Sequence, residues 1–243
     1  MDLKNAKALV TGGSSGIGFA AAKALIKKGA KVAICARNSE NLNRAAKELG
    51  ALPITADVSI EKDVINMVKT VIKEFGGFNV LINNAAYGYF SHVSEIDLEK
   101  FNNMLAVNLT GAMLCTREAS KHFTQKKYGN IVNISSTAGT KGYANGTPYV
   151  ASKFALAGMT ECWRGDLRKS NIRVMLVNPS EVQTDFSHNA ARWLKSFIKK
   201  TEERELNPTK LVAEDIAHTI ISMLEMEDRG FITEVTVWAT NPK

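Results

Sequence analysis

Cysteine is scarce in this sequence, with three among 243 residues. Cys35, Cys115 and Cys162 are far apart, odd in number and set in apolar strand or helix patterns. That excludes a disulfide framework and predicts buried free thiols. The four histidines, His92, His122, His188 and His218, are scattered, with none paired at ligand spacing, so no metal is expected. No apolar run approaches the ~18 residues of a membrane span. Met1-Asp2-Leu3-Lys4-Asn5 has no basic region followed by an apolar segment. No signal peptide is therefore expected, and a cytoplasmic location is the expectation. Internal repeats, low-complexity tracts and Gly/Pro/Ser linkers are also missing, which predicts one domain over residues 1–243. The net charge of +7 comes from basic residues mixed with acidic ones, without a helix-turn-helix, zinc-finger or RNA-binding signature. It reads as a solvated basic surface, with neither nucleic acid nor membrane as partner.

What is present is alternation. Hydrophobic residues make up 45% of the chain and charged residues 23%, enough for a sizeable core. Ala6–Val10, Lys31–Ala36, Leu52–Ala56, Val80–Asn83, Asn130–Ile134 and Arg173–Val177 are short apolar runs that read as buried parallel strands. Between them, Ile17–Lys28, Glu40–Leu49, Glu61–Phe75, Leu98–Gln125 and Pro148–Lys169 read as helices. A helix at Glu214–Met226 and a final strand at Glu234–Trp238 follow. Strand–helix alternation predicts an α/β, Rossmann-like, doubly wound parallel sheet of about seven strands with helices on both faces.

Where the first strand turns into the first helix stands Thr11-Gly12-Gly13-Ser14-Ser15-Gly16-Ile17-Gly18. Glycines at 12, 16 and 18 permit a tight turn and let backbone approach a pyrophosphate, which the new helix faces with its N–H groups and positive dipole end. The second strand ends Cys35-Ala36-Arg37-Asn38. An acidic residue here would accept bonds from the ribose hydroxyls of NAD, whereas Arg37 can grip a 2′-phosphate. NADP(H), rather than NAD(H), is the expected cofactor.

Tyr149 and Lys153 lie four apart in Tyr-Val-Ala-Ser-Lys, at the start of a helix for which Thr147 is the expected N-cap and Pro148 the first residue. Such positions share a face. A phenol titrates near 10, too high for easy exchange at neutrality, and an adjacent ammonium should lower it toward the general acid–base range. Ser136, ending the fifth strand in Asn-Ile-Ser-Ser with Ser135 beside it as the alternative, can hydrogen-bond a substrate oxygen and stabilise its developing charge.

The TGxxxGxG turn, the Ser136–Tyr149–Lys153 spacing and their order resemble the short-chain dehydrogenase/reductase family, over motifs running from Thr11 to Thr184. The resemblance implies a catalytic set of Asn108, Ser136, Tyr149 and Lys153, with Asn108 holding a water in a proton relay to Lys153. It implies that Gly12, Ser14, Ser15, Gly16, Ile17 and Gly18 meet the cofactor phosphates. Asp57 and Val58 would contact adenine, and Asn84 and Ala85 would line the cofactor within Asn83-Asn84-Ala85-Ala86. Lys153 would bond the nicotinamide ribose. Pro179, Val182 and Thr184 would meet the nicotinamide, in a segment where Ser180 replaces a family glycine and is expected to be strained if its φ is positive. Ala86 also replaces a glycine.

The implied activity is reduction of a carbonyl, or oxidation of the matching alcohol, by hydride transfer. Residues 185–206 are expected to form a lid with Phe186, Trp193, Leu194 and Phe197 on its apolar face. Tyr87, Tyr89, Phe90 and Tyr143 are expected at the same mouth, suiting an apolar or extended substrate or equally packing the lid down. Family members include 3-oxoacyl-(acyl carrier protein) reductases, and Lys126, Lys127, Arg168 and Lys169 are expected near the site, where they could receive an acidic carrier protein. A cofactor-binding regulator without catalysis is the competing class, opposed by the intact catalytic set. The family is usually dimeric or tetrameric, and Ala151, Ala155 and Gly158 give the Tyr149 helix small positions for close packing, so a homodimer or homotetramer is expected.

Overall fold

The structure is a computed structural model describing residues 1–186 and 209–240. The strands are β1 (Lys7–Thr11), β2 (Lys31–Ala36), β3 (Leu52–Thr55), β4 (Val80–Asn83), β5 (Gly129–Ile134), β6 (Ile172–Pro179) and β9 (Glu234–Val237), with a two-residue pair β7 (Val182–Gln183) and β8 (Leu211–Val212). The helices are α1 (Gly16–Lys27), α2 (Ser39–Leu49), α3 (Glu61–Phe75), α4 (Leu98–Leu105), α5 (Ala112–Lys126), α6 (Thr147–Leu167) and α7 (Ala213–Glu225). The main sheet runs β3-β2-β1-β4-β5-β6-β9, parallel throughout. This is the doubly wound fold that the alternation predicts.

The central strands are apolar on both faces because helices cover both. Every residue of β4, β5 and β6 is buried. On one face Leu25, Leu42, Ile216, Ile220 and Leu224 pack α1, α2 and α7 against Val10, Ile34 and Ile82. On the other, Val64, Met67, Leu114 and Phe123 pack α3 and α5 against Leu9, Leu81 and Ile131. Phe123 is fully buried. Burying such a side chain contributes about 2 kcal/mol. At the edge, β3 alternates between half-buried and exposed residues and tolerates Pro53, as edge strands do.

Three expectations need correction. The run Leu98–Gln125 is helical throughout, as expected, but not regularly α-helical: a π-helical turn, Ala106–Gly111, interrupts it between α4 and α5. Thr147 is the first helical residue of α6, and its cap position is Gly146, with no side-chain cap bond. Cys162 is exposed, whereas Cys35 and Cys115 are buried free thiols. Among the described residues no helix is long and apolar enough to cross a membrane, and no group of three or more His, Cys, Asp or Glu side chains is placed to hold a metal ion.

Candidate active site

The loops leaving the carboxyl ends of the parallel strands surround a cavity of about 1160 Å³. This is where ligands bind in doubly wound sheets. At its floor is the β1–α1 turn, with Gly12 at φ 65° and Gly16 at φ 53°, in the left-handed region. Gly18 is needed for a different reason. A Cβ there would overlap the Gly12 carbonyl and the Asn84 side chain. Asn84 in turn fixes the turn: its Nδ2 donates to the carbonyls of Thr11 (3.0 Å) and Gly12 (3.2 Å). The Thr11 hydroxyl accepts from the backbone of Asn84 (3.0 Å) and Ala85 (3.1 Å). Thr11 is thus a positioning residue, marked in the sequence only by its place at the head of the glycine turn. No side-chain bond closes the first turn of α1. Ser14, Ser15, Gly16 and Ile17 line the cavity there. A cradle this close to bare backbone fits a dinucleotide pyrophosphate.

Arg37 lies at one end of the cavity, at the tip of β2, 64% exposed and 3.9 Å from Asp57 Oδ2. The other Asp57 oxygen accepts from Ser59 N (2.9 Å) and Ser59 Oγ (2.6 Å), which anchors the carboxylate. Val58 is buried beside it, against Gly111 of the π turn. Beneath them, burial pushes the Cys35 thiol up to about 12, so it is an inert packing group.

Tyr149 and Lys153 stand in the first two turns of α6. Tyr149 is 7% exposed, and the Ser136 side chain lies near enough to act on its phenol. Ser136 Oγ also accepts from Ala138 N (3.1 Å), which holds the hydroxyl in place. Its neighbour Ser135 is buried and donates instead to the Lys153 carbonyl (3.4 Å). The geometry therefore favours Ser136 over Ser135 as the hydroxyl at the phenol. Lys153 Nζ donates to the Ile134 carbonyl (2.8 Å) and lies 5.7 Å from the centre of the Tyr149 ring.

The electrostatics depart from the sequence reading. Burial, the largest effect, pushes the Tyr149 phenol well above its ordinary value; the Ser136 side chain opposes this only in part. Burial also lowers the Lys153 amine, to about 8. Both groups are pushed toward their neutral forms because each is desolvated. The phenol is thus a protonated acid at neutral pH, not a phenol already drawn toward ionisation.

Asn108 lies in the π turn, a distortion that recurs at functional sites. Its Oδ1 accepts from Tyr87 N (3.0 Å), and its Nδ2 donates to Tyr87 O (2.9 Å) and Ser152 Oγ (3.2 Å). Ser152 Oγ donates to the Tyr149 carbonyl (2.7 Å). Asn108 therefore clamps the β4–α4 loop to α6, one layer behind the cavity wall. Tyr87, through its backbone, and Ser152 have supporting roles that no sequence motif marks.

The remaining expected residues converge. Asp57, Val58, Asn84, Ala85, Pro179, Val182 and Thr184 all line the cavity. Thr184 stands over Gly16, where a Cβ would meet its methyl at 3.4 Å. Gly18 and Asn108 do not line it; they support residues that do. Ser180 is not strained: it is absent from the left-handed residues, its N–H donates to Val237 O (2.8 Å), and its Oγ accepts from Ala239 N (3.4 Å).

Two surface expectations fail. Tyr89 is not at the mouth but buried, its hydroxyl accepting from Asp97 N (2.9 Å). Lys126 and Lys127 close α5 just before β5, and Arg168 and Lys169 form the turn just before β6. They occupy the amino-terminal edge of the sheet, opposite the cavity. Of the expected lid, Asp185 and Phe186 line the cavity. Its other residues, including Trp193, Leu194 and Phe197, lie outside the described residues.

The short chain dehydrogenase family profile matches residues 6–195. An uncharacterized oxidoreductase of Bacillus subtilis is 36% identical over 200 residues, covering 79% of this chain and 56% of its own length. This chain thus spans little more than half of that relative. An NADP-dependent 3-hydroxy acid dehydrogenase of Schizosaccharomyces pombe is 32% identical over 241 residues, covering 96% of this chain and 92% of that protein. Among solved structures, an actinorhodin polyketide ketoreductase with NADPH superimposes with a TM-score of 0.87 at 27% identity, covering 98% of this chain and 97% of the other.

Proposed function

The chain belongs to the short-chain dehydrogenase family of oxidoreductases, and from that premise we propose that it reduces a carbonyl group with NADP(H), or oxidises the matching alcohol, using Tyr149 as proton donor or acceptor. The observation that carries this reading is a buried phenol with a buried amine 5.7 Å from its ring centre, beside Ser136 at the wall of a cavity built on a glycine turn.

In this reading the turn from Gly12 to Ile17 holds the cofactor pyrophosphate and Arg37 its 2′-phosphate. Asp57 and Val58 face the adenine, and Asn84 and Ala85 the adjoining ribose. Lys153 bonds the nicotinamide ribose, and Pro179, Val182 and Thr184 hold the nicotinamide. The bound cofactor supplies the hydride. Ser136 orients the carbonyl oxygen and stabilises the charge that develops on it. Tyr149 Oη gives that oxygen a proton, and the Lys153 ammonium stabilises the phenolate left behind. Asn108, clamped to Tyr87 and Ser152, has one further acceptor site on Oδ1, which suits the water that would pass a proton toward Lys153.

The NADP-dependent relative and the NADPH-bound ketoreductase support the cofactor preference, alongside Arg37. A panel of ketones, aldehydes and acetoacetyl thioesters with NADPH tests the activity. The proposal predicts turnover that Tyr149→Phe abolishes; turnover unaffected by that change refutes the mechanism. Reduction of a carrier-bound 3-oxoacyl chain is a second reading, favoured by the ketoreductase likeness. Its receiving surface would not be the Lys126–Lys169 cluster, and absent thioester turnover removes it. We place self-association on the outward side of α6, where Ala151 and Gly158 are exposed and Ala155 is half-buried. Sedimentation as a single 26.5 kDa species would exclude it.

A further inference from the structure

Once the residues given to the cofactor are set aside, the large side chains left in the cavity lining are mostly rings. Phe90, Tyr143, Tyr149 and Phe186 all line it. They form one continuous row: Phe186 to Tyr149, 5.5 Å between centroids and tilted by 52°; Tyr149 to Phe90, 5.4 Å and 50°; Phe90 to Tyr143, 6.4 Å and 30°. These are the spacings at which aromatic rings attract through edge and face. The catalytic phenol sits inside the row, with a ring on either side of it.

The row is built by the backbone. Gly146 leaves room for Tyr143: a Cβ at Gly146 would come within 2.6 Å of that ring. Gly146 N–H donates to the Tyr143 carbonyl (3.1 Å), and Ser91 N–H donates to the Asn145 carbonyl (3.0 Å). The second of these bonds ties the loop carrying Tyr143 to the loop carrying Phe90. Tyr143 is nonetheless 48% exposed and Phe90 only half-buried, so both rings keep surface that a ligand can cover.

Charge at this end points the same way. Arg37 belongs to the far end, beside Asp57, and Lys153 is committed to the Ile134 carbonyl. Among the described residues, the exposed Glu181 and Asp185 also line the cavity; Glu181 is paired with Lys210 (2.7 Å), and Asp185 repels a carboxylate.

We propose that the substrate is a neutral carbonyl compound bearing an aryl group, with the ring laid against the cavity side of this row, on Phe90, Tyr143 and Phe186, while its carbonyl oxygen meets Tyr149 and Ser136. The inference rests on the carbonyl-reductase reading and adds the substrate class. The step balances: the carbonyl carbon gains a hydride from NADPH, which leaves as NADP⁺. The oxygen gains the Tyr149 proton, and solvent restores it.

The test compares kcat/KM with NADPH for three matched ketones: an aryl ketone, an alkyl ketone of similar size, and the aryl ketone carrying a free carboxylate. The neutral aryl ketone should lead the alkyl one by about tenfold, the scale of two ring–ring contacts, and should lead the carboxylate too. Phe90→Leu keeps apolar volume but removes the ring, and Tyr143→Leu does the same at the other contact. Each should lower the aryl-to-alkyl ratio by about threefold to fivefold, and a ratio is insensitive to how much enzyme folds. If the alkyl ketone or the carboxylate is reduced as well as the neutral aryl ketone, or the ratio survives both substitutions, the substrate class is wrong and the reductase reading stands. If NADPH supports reduction of no carbonyl at all, the reductase reading itself falls and this inference with it.

Discussion

Arg37 gives the sharpest test of the cofactor assignment. Its guanidinium is largely in water, with Asp57 Oδ2 at 3.9 Å. A 2′-phosphate carries a charge of about −1.5 to −2 near neutrality, like other phosphate monoesters. Against a guanidinium about 4 Å away in water-like dielectric, each unit charge contributes about 1 kcal/mol. Arg37→Ala therefore loses about 2 kcal/mol toward NADPH, or about 30-fold in Kd. NADH has no phosphate there and should weaken by less than about threefold. The fold should hardly notice, because an exposed pair such as Arg37–Asp57 contributes at most about 1 kcal/mol. The uncovered Asp57 carboxylate, still anchored by Ser59, would add to the selective loss by repelling the phosphate. Fluorescence titration of wild type and variant with both cofactors reads this directly, and repeating it at raised salt should narrow the difference. Equal weakening of NADPH and NADH, or no weakening of either, would refute the role given to Arg37.

Other outcomes follow from the same geometry. Tyr149→Phe should lower kcat for carbonyl reduction by about 10²–10⁴-fold while the NADPH Kd holds within threefold; a modest loss would move the proton donor elsewhere. Gly18→Ala drives a Cβ into the Gly12 carbonyl and the Asn84 amide. Calorimetry should show a loss of about 1–3 kcal/mol along with weaker NADPH binding, and a fully stable, fully binding variant would contradict the packing described. Asn108→Ala should loosen the Tyr87 loop, so that turnover falls and protease cleavage in residues 86–92 rises; unchanged cleavage would mean the clamp holds nothing. For pH, the Lys153 cation is present below its lowered value of about 8 and lost above it. The reduction rate should accordingly decline as pH rises through that point, and a rate constant to pH 10 would deny Lys153 its charge in the mechanism.

Much of this was legible in the sequence because burial and periodicity leave marks. Lys31–Ala36 and Val80–Asn83, as apolar runs, and Glu61–Phe75, as an amphipathic helix, are found at their expected ends, closed by Gly, Asn or charged residues. The cofactor turn was legible because its glycines answer to backbone constraints that no other residue meets. The π turn at Ala106–Gly111 was not, since one extra residue per turn barely disturbs an apolar pattern. Nor was the side of the sheet on which Lys126 and Arg168 stand: charge clusters carry no depth or direction until the strand order places them. Ser180 shows the opposite error, where a family glycine suggested a strained backbone and an ordinary φ stands in its place.

The Tyr149–Lys153 pair was legible as a pair, but its electrostatics followed from depth. Spacing alone says that an ammonium sits near a phenol and should ease its ionisation. Burial reverses the emphasis, raising the phenol and lowering the amine together. Reduction needs the protonated phenol, which burial favours, and needs the lysine cation only as the phenolate forms. Oxidation needs the phenolate at the outset, which burial opposes until a cation stands beside it. A ligand that brings phosphate charge into the cavity favours the lysine cation, and that cation in turn favours the phenolate. On the proposed mechanism, cofactor binding and proton transfer would be coupled through one buried amine, held at the Ile134 carbonyl.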